Sequence, residues 1–193
     1  MAETITPVVH GGKRRPYLAT SLLHTAGATL AAGALGFALG GLGAALQGPW
    51  GVGTPAVVAA VAVLYLLREA FRLPIPLPDR KRQVPDWWRT FFSPPVAAFL
   101  YGMGLGVGFL TYLTFGTFAA VMAGAVASAD PLLGVLVCAP FGFGRAAAVV
   151  VATWSGRPST VDRLHALAES PGPRLANALA LAVTAAAAGV ALS

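Results

Sequence analysis

The chain has 193 residues, of which 56% are hydrophobic and 10% are charged, and its mean hydropathy is +0.72. A soluble domain carries about 25% charged residues, so this composition excludes an ordinary soluble enzyme and indicates an all-α integral membrane protein. The net charge is +6, and the single cysteine, Cys138, excludes an internal disulfide, a CxxC redox pair and a cysteine-rich metal site.

The apolar runs predict one transmembrane domain, residues 17–193, after a polar cytoplasmic tail, residues 1–16. The first run is too long for a cleaved signal peptide, whose apolar core is about 7 to 15 residues, so we interpret it as a retained helix. Because about 20 apolar residues cross a bilayer, the chain is expected to cross it about five times. The predicted spans are about 18–46, 55–72, 96–126, 132–154 and 174–192.

Two of the five spans contain residues that favour a break. The third span, 96–126, is longer than a hydrocarbon core of about 30 Å requires, and hydroxyl, β-branched and glycine residues occupy its middle. We expect a broken helix there. The fourth span contains Pro140, Gly142 and Gly144, which we expect to interrupt it.

The connections between the spans indicate where the membrane surface lies. The predicted cytoplasmic loop 73–95 is rich in proline and arginine, and residues at about 160–170 have the apolar spacing of an interfacial helix. Aromatic side chains at the end of the loop are expected at the headgroup level. They are Trp87, Trp88, Phe91 and Phe92.

The charge distribution predicts the orientation. Of the 13 Lys and Arg residues, three lie before the first span, six from Arg68 to Arg89 and four from Arg145 to Arg174, so all of them lie on or toward one side. The positive-inside rule therefore predicts a cytoplasmic N terminus and Ser193 outside, in a cell membrane such as the bacterial inner membrane. Anionic lipid accounts for the pI of about 10.3, and nucleic acid is not expected as a partner.

Polar groups within the spans are the candidate functional residues, because burial in lipid is costly for them. Arg145 has two interpretations that stay open: it snorkels to the interface, or it faces the bundle and holds an anionic solute or a gate. Threonines at a spacing of three either satisfy their own helix or line a solute path. The candidate path or gate consists of Thr111, Tyr112, Thr114, Gly116, Thr117 and Arg145.

Histidine and glycine give weaker signals. His24 lies one turn from Ser21 and Thr25, and an interfacial hydrogen bond is favoured over a metal site because helix 1 contains no acidic partner. We expect no metal, cofactor or catalytic residue. Small residues let helices approach closely, and the predicted packing positions are Gly33, Gly36, Gly40, Gly43, Gly104 and Gly108.

The segment from Gly102 to Val151 resembles the later helices of the CcdA/DsbD-type transmembrane domain, of the cytochrome c biogenesis and LysE-like transporter superfamily. A glycine-rich helix entry, a Thr/Gly centre and the sequence Pro140-Phe-Gly-Phe-Gly-Arg145 carry the resemblance. That family transfers electrons through two Pro-Cys motifs. This chain lacks the first helix and has no cysteine at Tyr112–Thr117, so the resemblance implies a shared fold without the redox chemistry.

Three functional hypotheses follow. The leading hypothesis is a small transporter-like membrane protein that moves or binds a small solute or ion at a polar helix break, completed by a homo-oligomer or by other membrane subunits. The alternative is a non-catalytic accessory or assembly subunit of a larger membrane complex. A third reading is thiol redox chemistry between Cys138 and a partner's cysteine.

Overall fold

The computed structural model describes residues 11, 13–47, 53–76, 85, 87–108, 116–154 and 170–192. These residues fold into helices and contain no strand, which confirms the all-α prediction. The helices are α1 (Arg14–Ala45), α2 (Gly53–Phe71), α3 (Trp88–Phe91), α4 (Pro94–Val107), α5 (Thr117–Ala127), α6 (Pro131–Thr153) and α7 (Gly172–Val190). Of the predicted tail, residues 1–16, residues 1–10 and 12 lie outside the described residues, and α1 already begins at Arg14. The predicted interfacial helix at about 160–170 lies outside the described residues except for its last residue, Ser170.

Four helices are long and apolar enough to cross a membrane, namely α1, α2, α6 and α7. In the run for which the sequence predicted one broken span, the structure has two shorter apolar helices, α4 with 14 residues and α5 with 11. Neither is long enough to cross alone, since a spanning helix needs about 20 residues.

Proline and aspartate set the start of α6. Pro131 occupies the first position of the helix, where its missing N–H removes no hydrogen bond. The Asp130 carboxylate then accepts hydrogen bonds from the backbone N–H groups of Leu132 and Leu133, at 2.7 and 3.2 Å. This is an N-cap, which typically contributes about 1 kcal/mol.

The expected interruption of α6 is wrong, because the helix continues from Pro131 to Thr153 with Pro140 inside it. Proline removes one backbone hydrogen bond. Neighbouring helices and side chains satisfy such freed groups in membrane helices, so a single proline is tolerated there.

The structure divides into two compact units, and the first draws on Met1–Ala32, Arg80–Tyr112 and Ala139–Ser170. Within it, α1 and α4 run in parallel: a Cβ at Gly102 would meet His24 O, and one at Gly106, a turn later, would meet Ala28 O. The α6 segment runs the opposite way, since Ala28 faces Gly142 while the earlier Tyr17 hydroxyl lies 3.5 Å from Val150 O. The start of α1, the start of α4 and the end of α6 therefore lie at one end of this unit.

The second unit draws on Gly33–Asp79, Leu113–Cys138 and Pro171–Ser193. Its helix α2 packs against α5 and α7. The buried centre of this packing is apolar and consists of Ala62, Ala120 and Leu181. Burial of alanine at two of these three positions brings the helix axes close together, as is common in membrane bundles.

Candidate functional site

The C-terminal end of α4 is capped by an arginine from another helix. The Arg145 Nη1 group on α6 donates a hydrogen bond of 2.9 Å to the carbonyl oxygen of Leu105. Leu105 is among the last four residues of α4, whose carbonyls have no partner within the helix, and Gly108 ends the helix at φ +82°. The cation therefore lies where the helix dipole is negative.

The same guanidinium also contacts an aromatic ring on its own helix. Its central carbon is 5.9 Å from the centre of the Phe141 ring, within the range of a cation–π interaction. Arg145 is half-buried in the first unit. Of the two interpretations that the sequence left open, the structure places the guanidinium against α4.

The N-terminal end of α5 receives a cap from α7. The Asn177 side-chain oxygen accepts hydrogen bonds from the Thr117 backbone N–H, at 3.3 Å, and from the Thr117 hydroxyl. The backbone N–H is a donor only, which fixes the orientation of the amide and leaves its NH₂ group facing elsewhere. That NH₂ is buried and has no hydrogen-bond partner in the part of the chain that the structure describes.

Gly116 is buried directly before α5, beside an aromatic residue of α2. A Cβ at this position would lie 2.5 Å from Cβ of Tyr65 and nearly as close to its ring. Any larger residue would push the start of α5 away from α2. Of the candidate path predicted from the sequence, Gly116 and Thr117 pack within the second unit, whereas Thr111, Tyr112 and Thr114 lie outside the described residues.

His24 lies at a second polar position, in the first unit. Its side chain is fully buried, and Nδ1 is 3.1 Å from the carbonyl oxygen of Ala98 on α4. Because a carbonyl only accepts, Nδ1 carries the proton and Nε2 presents a lone pair. Among the described residues, neither Nε2 nor the hydroxyl of the buried Ser21, one turn earlier, has a hydrogen-bond partner.

The predicted glycine positions on α1 lie against other parts of the same chain. A Cβ at Gly36 would strike the carbonyl of Gly134, one at Gly40 that of Asp130, and one at Gly43 that of Val126. Gly33 and Gly104 are also buried, with no such close contact described.

The described residues contain no group of three or more His, Cys, Asp or Glu side chains that would hold a metal ion. Cys138 is buried and unpaired, and its Cβ lies 2.8 Å from the position that a Cβ at Gly36 would take. The thiol is therefore enclosed by the packing of α1 on α6 within the second unit.

Sequence reasoning missed Asn177, the residue that caps α5. It is the only asparagine in the chain and it falls inside the fifth predicted span. An amide in an apolar helix is a functional or structural candidate for the same reason as Arg145. The presence of a lone asparagine within a predicted span could therefore have identified this residue from the sequence.

The described residues thus form a helical protein with four helices long and apolar enough to cross a membrane, in which polar side chains bond the ends of two shorter helices. Comparison with known proteins is more specific. The chain is 37% identical to the methylamine utilization protein MauF of Paracoccus denitrificans over 142 residues, which are 70% of this chain and 49% of that protein. It is 35% identical over 131 residues to MauF of Methylorubrum extorquens, covering 67% and 46% of the two chains.

MauF of Methylophilus methylotrophus is similar at 33% identity over 133 residues, 68% of this chain and 47% of that protein. The chain thus spans about half the length of the curated relatives it matches. No family model matches the sequence. No solved structure matches it either.

Two predictions are wrong in the light of these relatives. The resemblance to the CcdA/DsbD-type domain is replaced by the similarity to MauF, and the hypothesis of a transporter-like protein with a solute at the helix break falls with it. The resemblance was misleading because hydropathy and glycine placement are shared by many packed membrane helices. Two groups of the supposed path, Arg145 and Thr117, bond to the chain itself.

Proposed function

We propose that this chain is a non-catalytic accessory subunit that supports methylamine utilization from within the membrane. In this role it assembles with other membrane subunits, or with further copies of itself, and stabilises them. The observation that carries the proposal is the similarity of 33% to 37% identity to MauF proteins over about two thirds of the chain.

The contacts of the polar side chains support an assembly role. Arg145 and Asn177 each bond backbone groups at a helix end within their own unit, so these side chains stabilise the helix ends of the two units. The contacts of Gly36, Gly40 and Gly43 also lie within the chain. These five polar and small residues thus serve internal packing, which is what a structural subunit requires.

An apolar face of α7 supports contact with lipid or with another subunit. Four large side chains on this helix are more than half exposed, and their spacing places the first three on one face. They are Leu175, Leu179, Val183 and Val190. Asn177 and Leu181 are buried on the same helix, so α7 has one face for its own unit and one for its surroundings.

The proposed topology has five crossings with a cytoplasmic N terminus in the cell membrane. The run that contains α4 and α5 supplies the third crossing, in two pieces. The support is the placement of all 13 Lys and Arg residues on or toward one predicted side, together with the exposure of Lys13, Arg14 and Arg15 at the start of α1.

Deletion of the coding sequence in its host tests the accessory role. We expect growth on methylamine to fail while growth on an unrelated carbon and nitrogen source continues, with recovery when the gene is supplied again. Methylamine consumption is then measured in intact and in permeabilised cells. An assembly defect persists after permeabilisation, whereas a defect in solute entry is relieved by it.

Purification of the tagged protein in mild detergent gives the second measurement. We expect other membrane subunits, or further copies of the chain, to remain bound through size-exclusion chromatography. Normal growth of the deletion strain on methylamine, or recovery of consumption on permeabilisation, would overturn the proposal.

A further inference from the structure

One end of the first unit carries exposed aromatic rings beside exposed cations. The Trp154 ring, at the end of α6, is 61% exposed and meets the Tyr17 ring edge-on, with centroids 5.8 Å apart. Tyr17 is itself buried, and its hydroxyl lies 3.5 Å from Val150 O. The indole is thus held by a buried tyrosine while most of its surface faces outward.

Three cations lie within one helical turn of Tyr17 along the chain. Lys13 and Arg14 stand four and three residues before Tyr17, and positions at these spacings share a helix face. Both are exposed, as is Arg15. The only salt bridge found in the described part of the chain joins Arg68 and Glu69, so these three cations have no carboxylate partner there.

A second aromatic group lies at the same end of the unit, before α4. Trp87 is 53% exposed, and its ring centre is 5.7 Å from that of Phe91 and 6.2 Å from that of Phe92. Trp88 meets the Trp87 ring edge-on, with centroids 6.3 Å apart, and packs on the buried Tyr101, with ring centres 5.8 Å apart. The start of α4 therefore also presents outward rings that are anchored by a buried one.

We infer that this end of the first unit is a binding surface for anionic phospholipid headgroups. Indole rings favour the zone between hydrocarbon and water, because they are apolar with one N–H donor. Exposed Lys and Arg at the same level attract lipid phosphates. The residues that form this surface are Lys13, Arg14, Tyr17, Trp87 and Trp154.

Lipid binding at this surface is a property separate from the proposed accessory function, since it does not depend on methylamine utilization. A free phosphate ion offers charge to the cations but nothing to the rings, whereas a phospholipid supplies both a headgroup and an acyl chain. The neighbouring indoles therefore favour a lipid.

The test titrates the purified full chain in detergent with brominated phosphatidylglycerol, and in parallel with brominated phosphatidylcholine, and follows quenching of tryptophan fluorescence. We expect tighter binding of phosphatidylglycerol. The double variant Lys13→Gln/Arg14→Gln should weaken that binding about tenfold at low ionic strength, with binding of phosphatidylcholine unchanged. Trp154→Phe should remove a large part of the quenching by phosphatidylglycerol.

The matched control is Arg72→Gln/Arg174→Gln, which removes two exposed cations of the second unit and should change the affinity less than twofold. Thermal unfolding midpoints equal to that of the wild type show that each variant is folded. Three results would overturn the inference: equal losses in the two double variants, no preference for phosphatidylglycerol in the wild type, or full displacement of the lipid by millimolar inorganic phosphate.

Discussion

Two apolar runs of the sequence contain helix-breaking residues, but only one of these runs forms two separate helices in the structure. The run 94–127 contains no proline after Pro95, yet it is divided into α4 and α5. The helix α6 contains Pro140, Gly142 and Gly144 and is continuous. Local helix propensity alone therefore does not decide where a membrane helix ends.

The two runs differ in the side chains that bond the backbone groups left free at a helix end. Arg145 supplies a donor to a carbonyl at the end of α4, and Asn177 supplies an acceptor to an N–H at the start of α5. A helix end within a bilayer is tolerated only when such groups are satisfied. Pro140 frees a single carbonyl, and the helix continues past it.

The largest expected effect concerns the packing that holds the first half of α6. In Gly134→Leu the new side chain would meet the backbone of Gly36, which leaves no room without moving α1. We expect the free energy of unfolding, measured by SDS titration, to fall by about 3 kcal/mol or more. Gly144 has open space around its Cβ position, so Gly144→Leu should change it by about 0.5 kcal/mol at most.

Removal of the arginine cap should have the next largest effect. Arg145→Leu leaves the Leu105 carbonyl without this donor, and we expect a loss of about 2 kcal/mol in the same titration, as for hydrogen bonds to charged groups. The exposed Arg174 serves as control through Arg174→Leu. A gain in stability for Arg145→Leu would mean that the cost of burying the cation exceeds the value of its hydrogen bond.

The amide cap of α5 should contribute somewhat less. Asn177→Ala removes the acceptor for Thr117, and loss of an N-cap costs about 1 kcal/mol. The loss of the unpartnered NH₂ offsets part of this effect. In a double-mutant cycle with Thr117→Val, we expect a coupling energy of about 0.5 kcal/mol or more. Strict additivity would show that the two side chains do not act together.

The smallest effect is expected at the proline of the continuous helix. Pro140→Ala restores one backbone N–H on an exposed position of α6, so stability should stay within about 1 kcal/mol of wild type, with any change a gain. Circular dichroism should show the same helix content. A large rise in helix content would indicate that α6 is interrupted in the wild-type protein and would remove the contrast with α4 and α5.

The apolar runs were enough to predict an all-helical membrane protein and to place most helix bounds within a few residues. The length of each uninterrupted apolar run is sufficient for this prediction, since a spanning helix must be apolar over its whole length. The same reasoning selected Arg145, because a charge within such a run stands out. It also produced a misleading family resemblance, since many membrane bundles share hydropathy and glycine patterns.

Only the tertiary structure decided which groups satisfy one another. The partners of Arg145 and Asn177 lie 40 and 60 residues away along the chain, and no local pattern encodes such a pairing. Continuity of α6 through Pro140 and the approach of Gly36 to Gly134 likewise depend on the surfaces of other segments. Sequence thus determined which segments are helices of a membrane protein, while packing determined where the polar ends of those helices find their hydrogen bonds.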